Sequence, residues 1–456
     1  VATKRESNLF SGFRRPAGLR ATLGVWLFGA LASIVWAHPE GGKGGNSEPP
    51  YEGPGHTGAP VAPGTDGMAL DFPARGVTLL SWMTLGELPG EALSGADIWG
   101  YASPSGREYA MMGLLTGTAF VEVTDPVNPQ VVGFIPGPES IWRDMKVWGE
   151  RAYIVNDIPP VEEEDEEHEH EQTRFIEGIQ VIDLSRIDDG VVERILGNSR
   201  IGPHTSHNIA INPQSGFAYL CGSSEHNGGL IAIDINRPAV LPHAVGAWDE
   251  NYIHDALVVT YTEGPFAGRE IAFAAAGLAG VKIIDVTDKS NMFTVASRRY
   301  PGLEFTHHSW LDGERRYLYV NDEFDELRNE RVESTTTYVF DVLDIENPIY
   351  VRSFTNGSPA IDHNPMGRDG FLYEANYTSG LRVFDIHDVN DVNEVGYFDT
   401  HPEDDEPEFT GAWGVYTDLP SGVLLVSTID RGLFVFDATG ATTPNGVPRD
   451  VWGAYQ

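Results

Sequence analysis

The run 117–136, GTAFVEVTDPVNPQVVGFIP, carries the plan of the whole chain. A glycine opens it, apolar residues follow, and an acid stands five places after the glycine. A turn rich in Asp, Pro and Asn then leads into a second short apolar run. Short β-prone runs bounded by such turn residues read as two antiparallel strands. The same unit returns at 380–398 as GLRVFDIHDVNDVNEVGYF. Glycine and acid recur as Gly178 with Asp183, Gly229 with Asp234, Gly280 with Asp285, and Gly432 with Asp437. Another copy, TTYVFD, ends at Asp341 and has Thr336 where the others have glycine.

Working outward, each copy is preceded by a further strand pair, such as NIAINP with GFAYLCG (208–222) or SWLDG with RRYLYVND (309–322). Four short strands per unit, repeated seven times, predict an all-β chain folded as a seven-bladed β-propeller of four-stranded blades around a channel. The propeller is expected over 75–456, with an acidic insertion at 157–175. The run 77–82, VTLLSW, resembles the outermost strand of the other blades, and the last blade lacks one. The N-terminal strand is therefore expected to close the ring, leaving no unpaired edge between first and last blades.

Several longer motifs sit on this frame: SGADIWGY, GREYAMMGLLTGTAFVEVTDPVNP, WRDMKVWGERAYIV, THHSWLDGERRYLYVNDEFDEL, DHNPMGRDGFLYEANYTSGLRVFDI and FTGAWGVYTDLPSG. Together they resemble the choice-of-anchor B family, whose blades are LVIVD-type repeats. The resemblance implies a propeller that is exported or held at a cell surface. The family has no settled biochemical activity to lend.

The N-terminus agrees with export. Lys4, Arg5, Arg14, Arg15 and Arg20 precede the apolar run 21–37, ATLGVWLFGALASIVWA, and Val35 and Ala37 suit the small-residue positions of a cleavage site. Residues 1–37 thus read as a signal peptide cut before His38, and the chain is expected outside the cytoplasm. A membrane anchor is the competing reading, for which 17 apolar residues are short. Residues 38–74, rich in Gly and Pro without a hydrophobic period, are expected to be a flexible leader. No later stretch is long and apolar enough for an integral membrane span.

The net charge is −37, with only five lysines. Such a surface repels phosphate backbones and anionic lipid, which excludes nucleic acid and charged membrane surfaces as partners. A protein, a glycan or a small-molecule ligand stays open. Cys221 is the one cysteine, so no internal disulfide exists, and its apolar setting predicts a buried, inert thiol.

Aligning the start of the innermost strand in each unit singles out Asp97, Arg143, His207, His254, His308, His363 and Trp413. Histidine in four consecutive blades at one register beside the channel suits a transition metal, Zn, Cu or Fe, because neutral imidazole is its commonest ligand. Asp97 would add a carboxylate, Arg143 would orient an anion with its planar fork, and Trp413 would line a ligand. The competing reading is structural: each histidine ties its own blade to the next. Strand alternation puts the turns between second and third strands on the same face. These include Asn156-Asp157, Ser223 to His226, and 321–326 (NDEFDE), where Asp322, Glu323, Asp325 and Glu326 suit a hard cation such as Ca²⁺ or form a solvated loop. The insertion VEEEDEEHEHEQ (161–172) reads as a solvating charge run, and His204 with His207 as a loop pair. Two functions from different classes follow: a binding scaffold with an ion or ligand at the channel mouth, or a metal-dependent extracytoplasmic hydrolase or oxidoreductase.

Overall fold

The computed structural model describes residues 49–157, 178–195, 203, 205–236 and 242–443. The expected signal peptide, the acidic run and His204 lie outside these residues. Seven antiparallel sheets follow one another along the chain, as a seven-bladed propeller requires. Blade 1 consists of Gly95–Ala102, Glu108–Leu114, Gly117–Glu122 and Gln130–Pro136, ordered from channel to rim. The innermost strands of blades 2 to 7 are Trp142–Trp148, Asn208–Asn212, Asp255–Thr260, Thr306–Leu311, Asn364–Arg368 and Ala412–Tyr416.

The repeated residues now have physical reasons. At Gly380 (φ +75°) an added Cβ would sit 2.4 Å from the Phe398 carbonyl oxygen of the blade's fourth strand, and at Gly432 (φ +95°) 2.3 Å from that of Met83. Only glycine tolerates both the left-handed backbone and that approach. The acid five residues later ends the third strand. Asp183, Asp234, Asp285, Asp341, Asp385 and Asp437 each accept the backbone N–H two residues on, at 2.8–3.1 Å, as Asx-turns. In six blades a bulge interrupts the pairing of third and fourth strands, adding the twist that a propeller blade needs.

Closure occurs as the sequence suggests. Thr78–Met83 pairs antiparallel with Gly432–Asp437 and completes blade 7. Trp82 anchors it, stacked on Phe434 at 5.1 Å and donating its indole N–H to the Arg431 carbonyl at 2.7 Å.

The segment expected to be a flexible leader is different in its described part. Tyr51 N–H donates to the Asp430 carbonyl, His56 and Val61 bridge to Trp82 and Leu79, and Phe72–Arg75 adds to the rim of blade 6, whose sheet becomes six-stranded. Its glycines and prolines hid this because the strap is held by scattered backbone bonds and a few aromatic contacts, without a hydrophobic period. Cys221 is buried, and burial pushes its thiol well above the ordinary range. Among the described residues no helix is long and apolar enough to cross a membrane.

Candidate metal centre at the channel mouth

Four histidine rings form a continuous row at the start of the inner strands of blades 3 to 6. Ring centroids are 4.4 Å apart from His207 to His254, 4.0 Å from His254 to His307, and 4.2 Å from His307 to His363. The row thus contains His307 and not the predicted His308. The cause is a bulge: Thr306 pairs with Asp322 and His308 with Asn321, so His307 is the extra residue and turns to the opposite face. His308 points instead into the channel, its Nε2 3.2 Å from Asp255 Oδ2.

Backbone carbonyls fix the tautomers of two rings. His254 Nδ1 donates to the His307 carbonyl at 2.8 Å, and His363 Nδ1 to that of Trp413 at 2.7 Å. With the proton on Nδ1, Nε2 is the accepting nitrogen of each ring, the usual tautomer of a metal-binding histidine. His207 Nδ1 lies 3.3 Å from Asp157 Oδ2. His307 is held neutral, because burial and the neighbouring histidines push its pKa well below the ordinary value.

The turn after the second strand of blade 5 supplies the carboxylate. Glu323 is 0 % exposed. Its Oε1 accepts the Tyr377 hydroxyl at 2.7 Å and lies 3.8 Å from His363 Nε2, while Oε2 stands 3.7 Å from His307 Nε2. Oε2 has no hydrogen-bond partner, and burial pushes the Glu323 carboxyl up to about 8. One donor atom each from His254, His307 and Glu323 lies within 4.8 Å of the others. Two imidazoles and a carboxylate are a set that zinc or ferrous iron accepts.

The remaining predicted residues serve other places. Arg143 is buried, its Nε donating to the Leu114 carbonyl at 3.1 Å and its fork to that of Pro138, which ties blades 1 and 2. Trp413 walls the end of the row, its ring edge against His363 at 5.1 Å. Asp97 faces the channel beside Asp144 and Lys146, and burial followed by the Asp144 charge raises its pKa well above the ordinary value. Lys146 bridges to Asp144 at 2.5 Å and rests over the Trp99 ring at 4.5 Å. Asp97, Trp99, Lys146, Asp255 and His308 line a channel cavity of about 160 Å³. A larger cavity, about 430 Å³, opens at the opposite end, among the turns carrying Asp312, Gly370 and Asp418.

The loop 321–326, for which a solvated state was one reading, is buried. Asp322, Glu323 and Asp325 are fully enclosed. Asp322 accepts the N–H groups of Phe305 and Glu304 and the Tyr300 hydroxyl at 2.6–2.9 Å, which staples the turn to the start of the inner strand. Sequence reasoning did not weigh Glu323 as a partner of the histidines. The available signal was the shared face of that turn and the strand start.

Comparison with known proteins adds no family. No family model matches the chain, and no curated protein matches it. Among solved structures, a Bacteroides fragilis protein provisionally assigned as a 6-phosphogluconolactonase is 12% identical, with 74% of this chain and 89% of that chain covered and a TM-score of 0.44. A functionally unknown protein from Desulfotomaculum acetoxidans is 16% identical, covering 66% and 84%, with a TM-score of 0.44. The β-propeller domain of Myceliophteria thermophila Cps50 (Swd1) is 10% identical, covering 75% and 96%, with a TM-score of 0.45.

Proposed function

We propose that this chain is an extracytoplasmic metal-binding propeller of the choice-of-anchor B type, acting as a binding scaffold whose working face is the histidine-lined channel mouth. The observation that carries the reading is the buried triplet of His254, His307 and Glu323, whose donor atoms fall within one ion's reach. Burying a carboxylate beside neutral imidazoles is costly unless a proton or a cation compensates it. A divalent cation compensates it and uses the imidazole lone pairs at the same time. The Tyr377 hydroxyl donates to Glu323 and positions its carboxylate. Export, supported by the basic and apolar N-terminal run, would place the site where metal is drawn from the surroundings.

Catalysis is the second reading, and one feature favours it. Three protein donors are the number that catalytic zinc keeps, leaving a fourth position for water or substrate. Asp255 and His308 stand one residue further along the same inner strands.

Equilibrium dialysis of chelator-treated protein, made without a His-tag, tests the proposal. One tightly held Zn²⁺ per chain is expected, weakened at least about 10- to 100-fold in Glu323→Gln, by analogy with the loss of groups that merely support a metal. Absence of a stoichiometric site, or full retention of affinity in Glu323→Gln, contradicts it.

A further inference from the structure

Beside the histidine row lies a second group with different chemistry. The short helix Asp325–Arg328 begins two residues after Glu323. It presents Asp325 and Glu326 to Asp362, which precedes His363 at the start of blade 6's inner strand. One carboxylate oxygen from each of the three lies within 4.8 Å of the others. We propose that Asp325, Glu326 and Asp362 form a Ca²⁺ site distinct from the histidine centre, one that holds the turn carrying Glu323 in place.

An acidic cluster alone would not argue this, but its satisfied and unsatisfied atoms do. Asp362 is fastened by two backbone donors, Asp322 N–H at 2.9 Å and Thr336 N–H at 2.8 Å. Thr336 is the residue that replaces the repeat glycine in blade 5, so this departure from the repeat coincides with a carboxylate that the other blades lack. Asp325 Oδ2 accepts the Tyr338 hydroxyl at 2.7 Å, yet its Oδ1 has no hydrogen-bond partner although the residue is 0 % exposed. Neither carboxylate oxygen of Glu326 meets an N–H or O–H donor; its side-chain hydrogen-bond contact is with the Asp325 carboxylate. The electrostatic neighbours of these groups are other carboxylates: Asp322 for Asp325, Asp362 and then Asp325 for Glu326, and Asp325 for Asp362.

Buried oxygens that face one another without donors need a proton or a cation between them. Oxygen-only donors without imidazole suit a hard ion. Ca²⁺ takes six to eight oxygens at about 2.3–2.6 Å in flexible geometry, so donors up to about 5 Å apart can share it, whereas Mg²⁺ demands a tighter octahedron. Three carboxylates supply part of that shell. The strongly negative chain also raises the local concentration of cations.

The test is calorimetric titration of Ca²⁺ alone into chelator-treated full-length protein. One Ca²⁺ per chain is expected, with a Kd between about 10⁻⁶ and 10⁻³ M, the span of sensor and extracellular sites. Glu326→Gln should weaken it at least about tenfold while keeping the native near-UV spectrum, because no N–H or O–H of the fold depends on the Glu326 carboxylate. Asp325→Asn, whose amide oxygen can still accept the Tyr338 hydroxyl, should weaken Ca²⁺ binding by a similar factor. His254→Ala should leave Ca²⁺ affinity unchanged, so failure of the histidine centre and failure of this site are separable. Absence of saturable binding at 10 mM Ca²⁺ (about tenfold above the weakest expected Kd) overturns the proposal. Affinity unchanged in both carboxylate variants, which would mean a proton-sharing cluster here and Ca²⁺ elsewhere, overturns it equally.

Discussion

Replacing Trp82 by alanine should damage the protein more than most single changes, because this side chain closes the ring. It is 4% exposed and stacks on Phe434 at 5.1 Å with an interplanar angle of 9°. Phe72 meets it edge-on at 5.3 Å and Tyr51 at 4.9 Å, so the rings of the N-terminal strap and of blade 7 share one aromatic cluster. Truncating a buried Trp to Ala costs about 3–5 kcal/mol. Loss of the indole donor leaves the Arg431 carbonyl unmet and adds about 1 kcal/mol. About 5 kcal/mol is a large share of the roughly 5–15 kcal/mol that stabilises a folded domain. With an unfolding entropy of about 2.1 cal/mol/K per residue over roughly 400 residues, it corresponds to a Tm lowered by roughly 6 °C. Differential scanning calorimetry measures this directly. Leu343→Ala is the control, since Leu343 is 62% exposed and should shift Tm by less than a degree or so. A loss below about 1 kcal/mol for Trp82→Ala would refute the argument that this strand and its strap hold the propeller closed.

Three further outcomes are expected. His307→Ala should abolish stoichiometric Zn²⁺ binding, whereas His308→Ala should leave it within about threefold of wild type; equal effects in dialysis would mean that the bulge does not separate the two rings. Asp312, half-buried, accepts the Arg316 N–H at 2.7 Å, and burial pushes its carboxyl up to about 6. A folded-state pKa above the unfolded one stabilises the fold at low pH, and that contribution is lost as pH rises from about 4 to about 6. Asp312→Asn should remove about 1–2 kcal/mol of that slope after allowance for solvent screening, visible in urea melts at pH 4 and 7; an unchanged slope would count against it. Cys221 should resist a thiol reagent in the native protein and react once it is unfolded; rapid native labelling would show that blade 3 is not packed as described.

Much of the architecture was legible in the sequence because a propeller repeats its local solutions. The glycine that clears the fourth strand and the aspartate that ends the third strand recur wherever that geometry recurs, so Gly380 and Asp385 read the same as Gly432 and Asp437. The closing strand was legible for the same reason, since VTLLSW looks like the strand that blade 7 lacks. Features that occur once were hidden. The strap 49–75 docks by isolated contacts such as Tyr51 to Asp430, which leave no pattern. The doubled histidine in THHSW could not reveal which ring joins the row, because a bulge inverts the faces and leaves no mark in composition. The face shared by Glu323 and the histidines was visible from strand direction, but its burial was not. Charge in NDEFDE suggested solvent, whereas the donors Phe305 N–H, Tyr300 and Tyr377 draw the turn inward.

A crystal of the protein grown with Zn²⁺, with anomalous data collected on both sides of the zinc edge, tests the central claim most directly. The account predicts one strong peak bonded to His254, His307 and Glu323, at about 2.0–2.2 Å from each donor atom, with His308 still directed at Asp255. A map without a peak there, with the imidazole row unmoved and Glu323 still held by Tyr377 alone, would contradict it and leave the histidines as a structural ring.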